Sequence, residues 1–300
     1  MIEKYYDGAI EQVAAGLGTV EKNHLLVRYS GQFSIEELSY KDQLEKMENI
    51  FVQMHEFEPG EITSAYEPYL TMICDGFRRY MTGTFEEFME ECDVYYLHRP
   101  VLLGYFNRGY AKREEIILLD EVAYEQERML AALERNLYAI ADRHPVLLIL
   151  NRFQLASKST MQLTARILKA ENSNIGLVLG VSDIQAMPEF LVPDWEMLYE
   201  TLDDGSKIYH IGNSGRKKEE IADDGKYADY GSEKVYRKLQ NMVEFLDFDQ
   251  AAYYLEVIER KIKFDNLFVD DPARFRMWLL FAKVSILRKD IPKALEICED

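Results

Sequence analysis

Two short apolar runs separated by one amphipathic segment constrain this chain more than anything else in it. Val146-Leu147-Leu148-Ile149-Leu150 follows Pro145, and Ile175-Gly176-Leu177-Val178-Leu179-Gly180-Val181 follows the polar Asn172-Ser173-Asn174. Each has strand length and no polar alternation, which is the pattern of strands covered on both faces. Between them Ser159 to Ala170 has helical spacing, with Leu163, Ile167 and Leu168 directed inward. Strand, helix and strand over about 35 residues make a βαβ unit, whose crossover should be right-handed. His24 to Tyr29 supplies a plausible earlier strand and Lys207 to Ile211 a last one. Residues 1–212 therefore read as a small parallel sheet flanked by helices.

Helix-start signals surround that unit. Ser34-Ile35-Glu36-Glu37, Ser64-Ala65-Tyr66-Glu67 and Thr84-Phe85-Glu86-Glu87 each fit a capping box, in which hydroxyl and carboxylate satisfy the free amides of a first turn. After Ser34, the apolar residues Leu44, Met47, Phe51 and Met54 recur at helical spacing and predict one amphipathic helix. Tyr66, Leu70, Ile73 and Phe77 predict a second, ending near Gly83, and Met129 to Ile140 lie within a longer one from Asp120 to Arg143.

Gly212-Asn213-Ser214-Gly215-Arg216-Lys217-Lys218 ends the apolar periodicity, so residues 213–232 read as a linker. Beyond it the chain is helical, with a weak internal repeat. Asp247-Phe248-Asp249-Gln250-Ala251 resembles Asp290-Ile291-Pro292-Lys293-Ala294, each following an apolar helix and opening another. Ala282 stands twelve before Ala294, the spacing of the two small positions of a tetratricopeptide repeat. The units lie 43 residues apart, longer than the 34 of that repeat, so Lys263 to Ala273 would be an insertion. Residues 233–300 thus read as the start of a tetratricopeptide-like array. The final helix, Ala294 to Asp300, is expected to stop before its apolar face is complete, as in a fragment of a longer protein. Trp278, Phe281, Ile286 and Leu287 are expected on an exposed stacking face with a tendency to self-associate.

Charge and composition exclude several function classes. The 300 residues carry a formal charge of −18, with 48% hydrophobic and 29% charged residues, which describes a globular chain without a cationic face for nucleic acid or anionic membrane. No apolar run reaches the ~18 residues of a membrane span. Cys74, Cys92 and Cys298 share no ligand spacing and form no even framework, consistent with a reduced cytoplasm. His24, His55, His98, His144 and His210 are scattered, so no metal site is expected. No Gly-x-Ser-x-Gly elbow is present. The Glu86-Glu87-Phe88-Met89-Glu90-Glu91 cluster reads as a solvated helix face. Among the many tyrosines, Tyr5-Tyr6, Tyr95-Tyr96 and Tyr253-Tyr254 are mixed-face pairs suited to interfaces.

The stretch from Pro145 to Gly180 resembles the nucleotide-binding module of bacterial signal-transducing ATPases, a P-loop (STAND/AAA-like) class that precedes tetratricopeptide arrays in large regulators. The resemblance implies a Walker B strand ending in an Mg²⁺-holding Asp and an acidic partner. Here that strand runs into Asn151-Arg152, an amide and a charge reversal. If Leu25 to Tyr29 is the first strand, Gly31 opens the phosphate loop and its later positions fall on Glu36 and Glu37, where a lysine should meet the phosphates. One like-charge contact at 4 Å and an effective dielectric near 20 costs about 4 kcal/mol, against about 1 kcal/mol from a helix N-terminus. The loop Gly16 to Asn23 places Lys22 at the correct step but lacks the second glycine and the hydroxyl, and precedes a strand. Asn151 and Asp183, at strand carboxyl ends, form the one polar pair placed for a small ligand, or else cap their loops.

These features predict a module without catalytic residues, cofactor or metal, acting as a sensory or scaffolding input whose partners are other proteins or its own output domain. The pattern looks most like the N-terminal region of diguanylate cyclases with a C-terminal GGDEF domain. The alternatives are an ATP-binding transcriptional regulator with a helix-turn-helix output, an active ATPase with an unconventional site, and an unrelated α/β enzyme.

Overall fold

The computed structural model describes residues 15, 17, 24–29, 49–113, 117–170, 174–182, 187–203, 207–211, 230–264 and 269–299. Five strands, β1 (His24–Tyr29), β2 (Phe51–Glu56), β3 (Val146–Asn151), β4 (Ile175–Ser182) and β5 (Lys207–Ile211), form one sheet in the order β2-β3-β4-β1-β5. Every pairing is parallel. β3 and β4 are buried at every residue, which is why their sequences show no alternation. The βαβ unit is present as read: β3, helix α5 (Lys158–Lys169) and β4, with Leu148 opposite Leu177.

The region between β2 and β3 is helical: α1 (Tyr69–Tyr80), α2 (Phe85–Glu91), α3 (Arg99–Arg108) and α4 (Val122–Ala141). α4 packs against both α1 and α5, and α5 against α6 (Val192–Asp203). Thr84 caps α2 by the full reciprocal box, accepting from the Glu87 amide at 3.2 Å while the Glu87 carboxylate accepts from the Thr84 amide at 2.8 Å.

Two local expectations are corrected. Phe51 and Met54 belong to β2, so the apolar spacing that ran through them from Leu44 crosses into a strand; the residues from 31 to 48 lie outside the described set. Pairing with β3 decides the matter, because Phe51 opposite Val146 extends a buried ladder that a helix could not join. Tyr66 precedes its helix, with φ of 54°, and α1 begins only at Tyr69. The Ser64 signal is half realised. Its amide donates to the Glu67 carboxylate at 3.3 Å, yet the chain must first turn through Tyr66 and Pro68.

Beyond residue 230 four helices follow: α7 (Glu233–Glu244), α8 (Phe248–Phe264), α9 (Asp271–Leu287) and α10 (Ile291–Glu299). The 43-residue repeat is visible as repeated backbone geometry. Leu246 and Lys289 both adopt left-handed conformations, with φ of 68° and 64°. The following Asp247 and Asp290 amides donate five residues back, to Met242 O at 2.7 Å and Ser285 O at 2.8 Å, the bond that closes a helix in the Schellman manner. Ala251, Ala282 and Ala294 are all buried. The outward face differs from expectation: Phe281 is buried and Trp278 half-buried, while Phe275, Leu279, Ile286 and Leu295 are exposed. Packing of α9 against α8 and α10 puts Met277, Phe281 and Val284 inside.

One contiguous hydrophobic core runs from the sheet into these helices, joining Leu26 and Leu148 to Phe245 and Phe281. Polar links reinforce the junction. Asn241 Oδ1 accepts from the Ala111 amide at 2.8 Å, Glu244 from the Arg113 amide at 2.8 Å, and Lys238 Nζ meets Glu61 at 2.7 Å. Most of the expected 213–232 linker lies outside the described residues.

Candidate functional site

The strand order places a topological switch between β1 and β4. From β1 the chain passes to β2 at one edge, and from β4 to β5 at the other. The two connections run in opposite directions past each other, and parallel sheets bind ligands at the carboxyl ends where the direction of connection reverses. Tyr29 ends β1, Asn151 ends β3 and Ser182 ends β4, so all three face this rim.

Asn151 is fully buried and engaged at both ends of its amide. Its Oδ1 accepts from Tyr29 Oη at 2.7 Å and from the Arg152 amide at 3.0 Å. Its Nδ2 donates to Glu56 Oε1 at 3.2 Å. The Tyr29 bond reaches across β4, since β4 lies between β1 and β3. Burial, opposed by Arg152 and assisted by Glu56, pushes the Tyr29 phenol up to about 12, so it stays a hydrogen-bond donor at neutral pH.

Arg152 leaves β3 with φ of 52°, a left-handed conformation that costs a non-glycine residue roughly 1–2 kcal/mol. That turn lays the guanidinium back over the end of β2, where it pairs with Glu56 at 3.2 Å and Glu58 at 2.8 Å. Next, Gln154 Oε1 accepts from the Ser182 amide at 3.2 Å and ties the turn after β3 to the end of β4. Its Nε2 is buried with no partner among the described residues. Neither Gln154, Glu56 nor Tyr29 was marked by a sequence motif, since their association depends on strand order.

The helix after this turn starts from a dense polar cap. Ser157 Oγ accepts from the Thr160 amide at 3.2 Å, and Asp247 Oδ2 accepts from the Ser159 amide at 3.1 Å. Asp247 comes from the left-handed corner before α8, so the helical region supplies an anion to the α5 N-terminus. Burial nevertheless raises its carboxyl to about 6, against the lowering by the Ser159 bonds and Lys158.

Of the positions singled out in the sequence, Asn151 and Arg152 sit together at this rim. Gly31, Glu36 and Glu37, Asp183, and the Gly16 to Asn23 loop apart from Leu17 lie outside the described residues. No group of three or more His, Cys, Asp or Glu that could hold a metal ion occurs among the described residues. His98 is buried against Glu125 at 3.0 Å, far from the rim in sequence, and burial with Arg113 and Arg128 lowers it to about 3. No helix among the described residues is long and apolar enough to cross a membrane. No protein-family model matches the chain, and no curated protein matches it.

Proposed function

We propose that this chain is a non-catalytic regulatory module of a larger cytoplasmic signalling protein, a degenerate P-loop-like α/β unit fused to tetratricopeptide-like helices. The observation that carries this reading is the closed state of the Asn151 amide. A Walker B position must offer a carboxylate oxygen to Mg²⁺ and place a base beside it. Here the oxygen is spent on Tyr29 and the Arg152 amide, and the neighbouring side chain is a guanidinium locked onto two glutamates. Around Asn151 the rim is built as a structural lock.

The parallel sheet, the switch point beside β1 and the repeated corners at Leu246 and Lys289 support the two parts of this reading. The helical region then offers the partner-facing surface, with Phe275, Leu279 and Ile286 exposed along α9. An output of the GGDEF diguanylate cyclase type rests on the sequence resemblance.

Thermal shift with millimolar Mg-ATP, ADP and GTP tests the proposal. A nucleotide at about 100 times its Kd would stabilise by about 2.7 kcal/mol, a rise of about 4 °C for a chain this size. The expected result is no rise that depends on Asn151 and no phosphate release. A rise removed by Asn151→Ala would establish a working nucleotide site and sink the proposal.

A further inference from the structure

A second concave site lies beside the rim, between α8 and the turns that leave β2 and β3. It encloses about 540 Å³, within the usual range for a small-molecule site of ~300–1,000 Å³. One wall is a single face of α8, where Tyr253, Val257, Arg260 and Phe264 recur at three and four residues. The opposite wall combines the Glu58 to Glu61 turn with the apolar side chains of Leu155 and Leu191.

The charges in this cleft are unequal in what they leave available. Glu58 is paired with Arg152 at 2.8 Å, and Glu61 with Lys238 at 2.7 Å and Lys234 at 3.6 Å. Both acids are thereby paired from outside the cleft. Arg260 donates from Nε to the Glu256 carbonyl at 3.4 Å and makes no ion pair among the described residues. Its Nη edge, the fork that grips carboxylate or phosphate in two parallel bonds, is uncommitted.

The aromatic groups are fixed one turn away. Tyr254 Oη accepts from the Thr63 amide at 3.3 Å, which pins that ring to the segment before α1. Tyr253 is wedged between Tyr254, centroids 5.3 Å apart, and Phe190, 5.1 Å apart. Its hydroxyl has no hydrogen-bond partner among the described residues, although the ring is only partly exposed. A held ring, an apolar facing wall and an open guanidinium on one helix face match a flat ring that ends in an oxyanion.

We propose that this cleft binds a small aromatic anion, its ring lying between Tyr253 and the Leu155–Leu191 wall and its carboxylate or phosphate on Arg260. The site is independent of the nucleotide reading of the rim, because no residue of the Asn151 amide lock is needed for it. Through Glu58 and Arg152 an occupant would nonetheless touch the element that closes β3.

Saturation-transfer NMR on the full chain tests this, using benzoate and indole-3-carboxylate as carboxylate probes and AMP and UMP as phosphate probes, with indole and adenosine as neutral controls. At least one acid is expected to bind in the micromolar to millimolar range, at least tenfold more tightly than its neutral control. Arg260→Ala should weaken it tenfold or more, and Tyr253→Ala about fivefold, while Asn151→Ala leaves it unchanged. Arg260 is exposed, so its variant reads binding and leaves the fold intact. Binding by the carboxylates or by the monophosphates decides which oxyanion the site takes. The proposal is overturned if none of the four acids binds at millimolar concentration, if neutral controls bind equally, or if binding survives Arg260→Ala or is lost only in Asn151→Ala.

Discussion

Placing a carboxylate at the end of β3 is the most direct probe of the lock. In Asn151→Asp the bonds from Tyr29 and the Arg152 amide persist, since both donate to the oxygen that remains. The Nδ2 donor becomes a second oxygen 3.2 Å from Glu56 Oε1. Two unit charges at that distance repel by about 5 kcal/mol at an effective dielectric of 20. Arg152, already 3.2 Å from the same Glu56 oxygen, offsets part of this, and the lost hydrogen bond adds about 1 kcal/mol. The variant should therefore be about 2–4 kcal/mol less stable than the parent at pH 8, measured by urea denaturation. The carboxyl pair would share a proton, so its folded pKa lies above its unfolded one. Destabilisation is then absent below the unfolded value near 4, and grows as pH rises through the raised folded value. Adding Glu56→Gln replaces repulsion with an amide donor and should bring the double variant to within about 1 kcal/mol of the parent. An Asn151→Asp protein as stable as the parent at pH 8, or one that Glu56→Gln does not rescue, would refute the hydrogen-bond pattern on which the lock rests.

Two further outcomes follow from the packing. Because the Asp247 carboxyl is raised from 3.8 to about 6 by burial, the native state holds a proton that the unfolded chain has released across that window; stability falls by up to about 3 kcal/mol as pH climbs from 4 to 7, and Asp247→Asn, which keeps an acceptor for Ser159, should flatten the profile in pH-dependent denaturation. Parallel profiles for the two proteins would exclude that role. A Cβ at Gly76 would stand 2.8 Å from Ile140 Cγ2 and 3.2 Å from Phe51 Cε1, so Gly76→Ala should cost about 1–3 kcal/mol in overpacking against about 1 kcal/mol of helix propensity, a net fall in melting temperature that Ile140→Val, which keeps Cγ2 and loses only the Cδ1 3.1 Å away, should leave largely in place.

Strands and helices can be told apart from the residues alone wherever one periodicity holds along the whole segment. Val146 to Leu150 and Ile175 to Val181 are apolar at every step because both faces of β3 and β4 are covered, and that local fact can be read without neighbours. The Thr84 box and the Asp247 and Asp290 corners were legible for the same reason, since each partner lies within five residues. Phe51 and Met54 were misread because three- and four-residue spacing continued by chance into a strand that only pairing with β3 could define. Asn151 stands in the sequence as an amide at the end of an apolar strand, and its sequence neighbours do not say what that amide bonds to. Tertiary structure decided that, by placing β4 between β1 and β3 and so bringing Tyr29 Oη within 2.7 Å of Asn151, a contact spanning 122 residues. It likewise set Arg260 opposite glutamates already paired with Arg152 and Lys238. Hydrogen bonds and ion pairs of that kind carry no period along the chain, and only the assembled sheet and the helices docked on it give them partners.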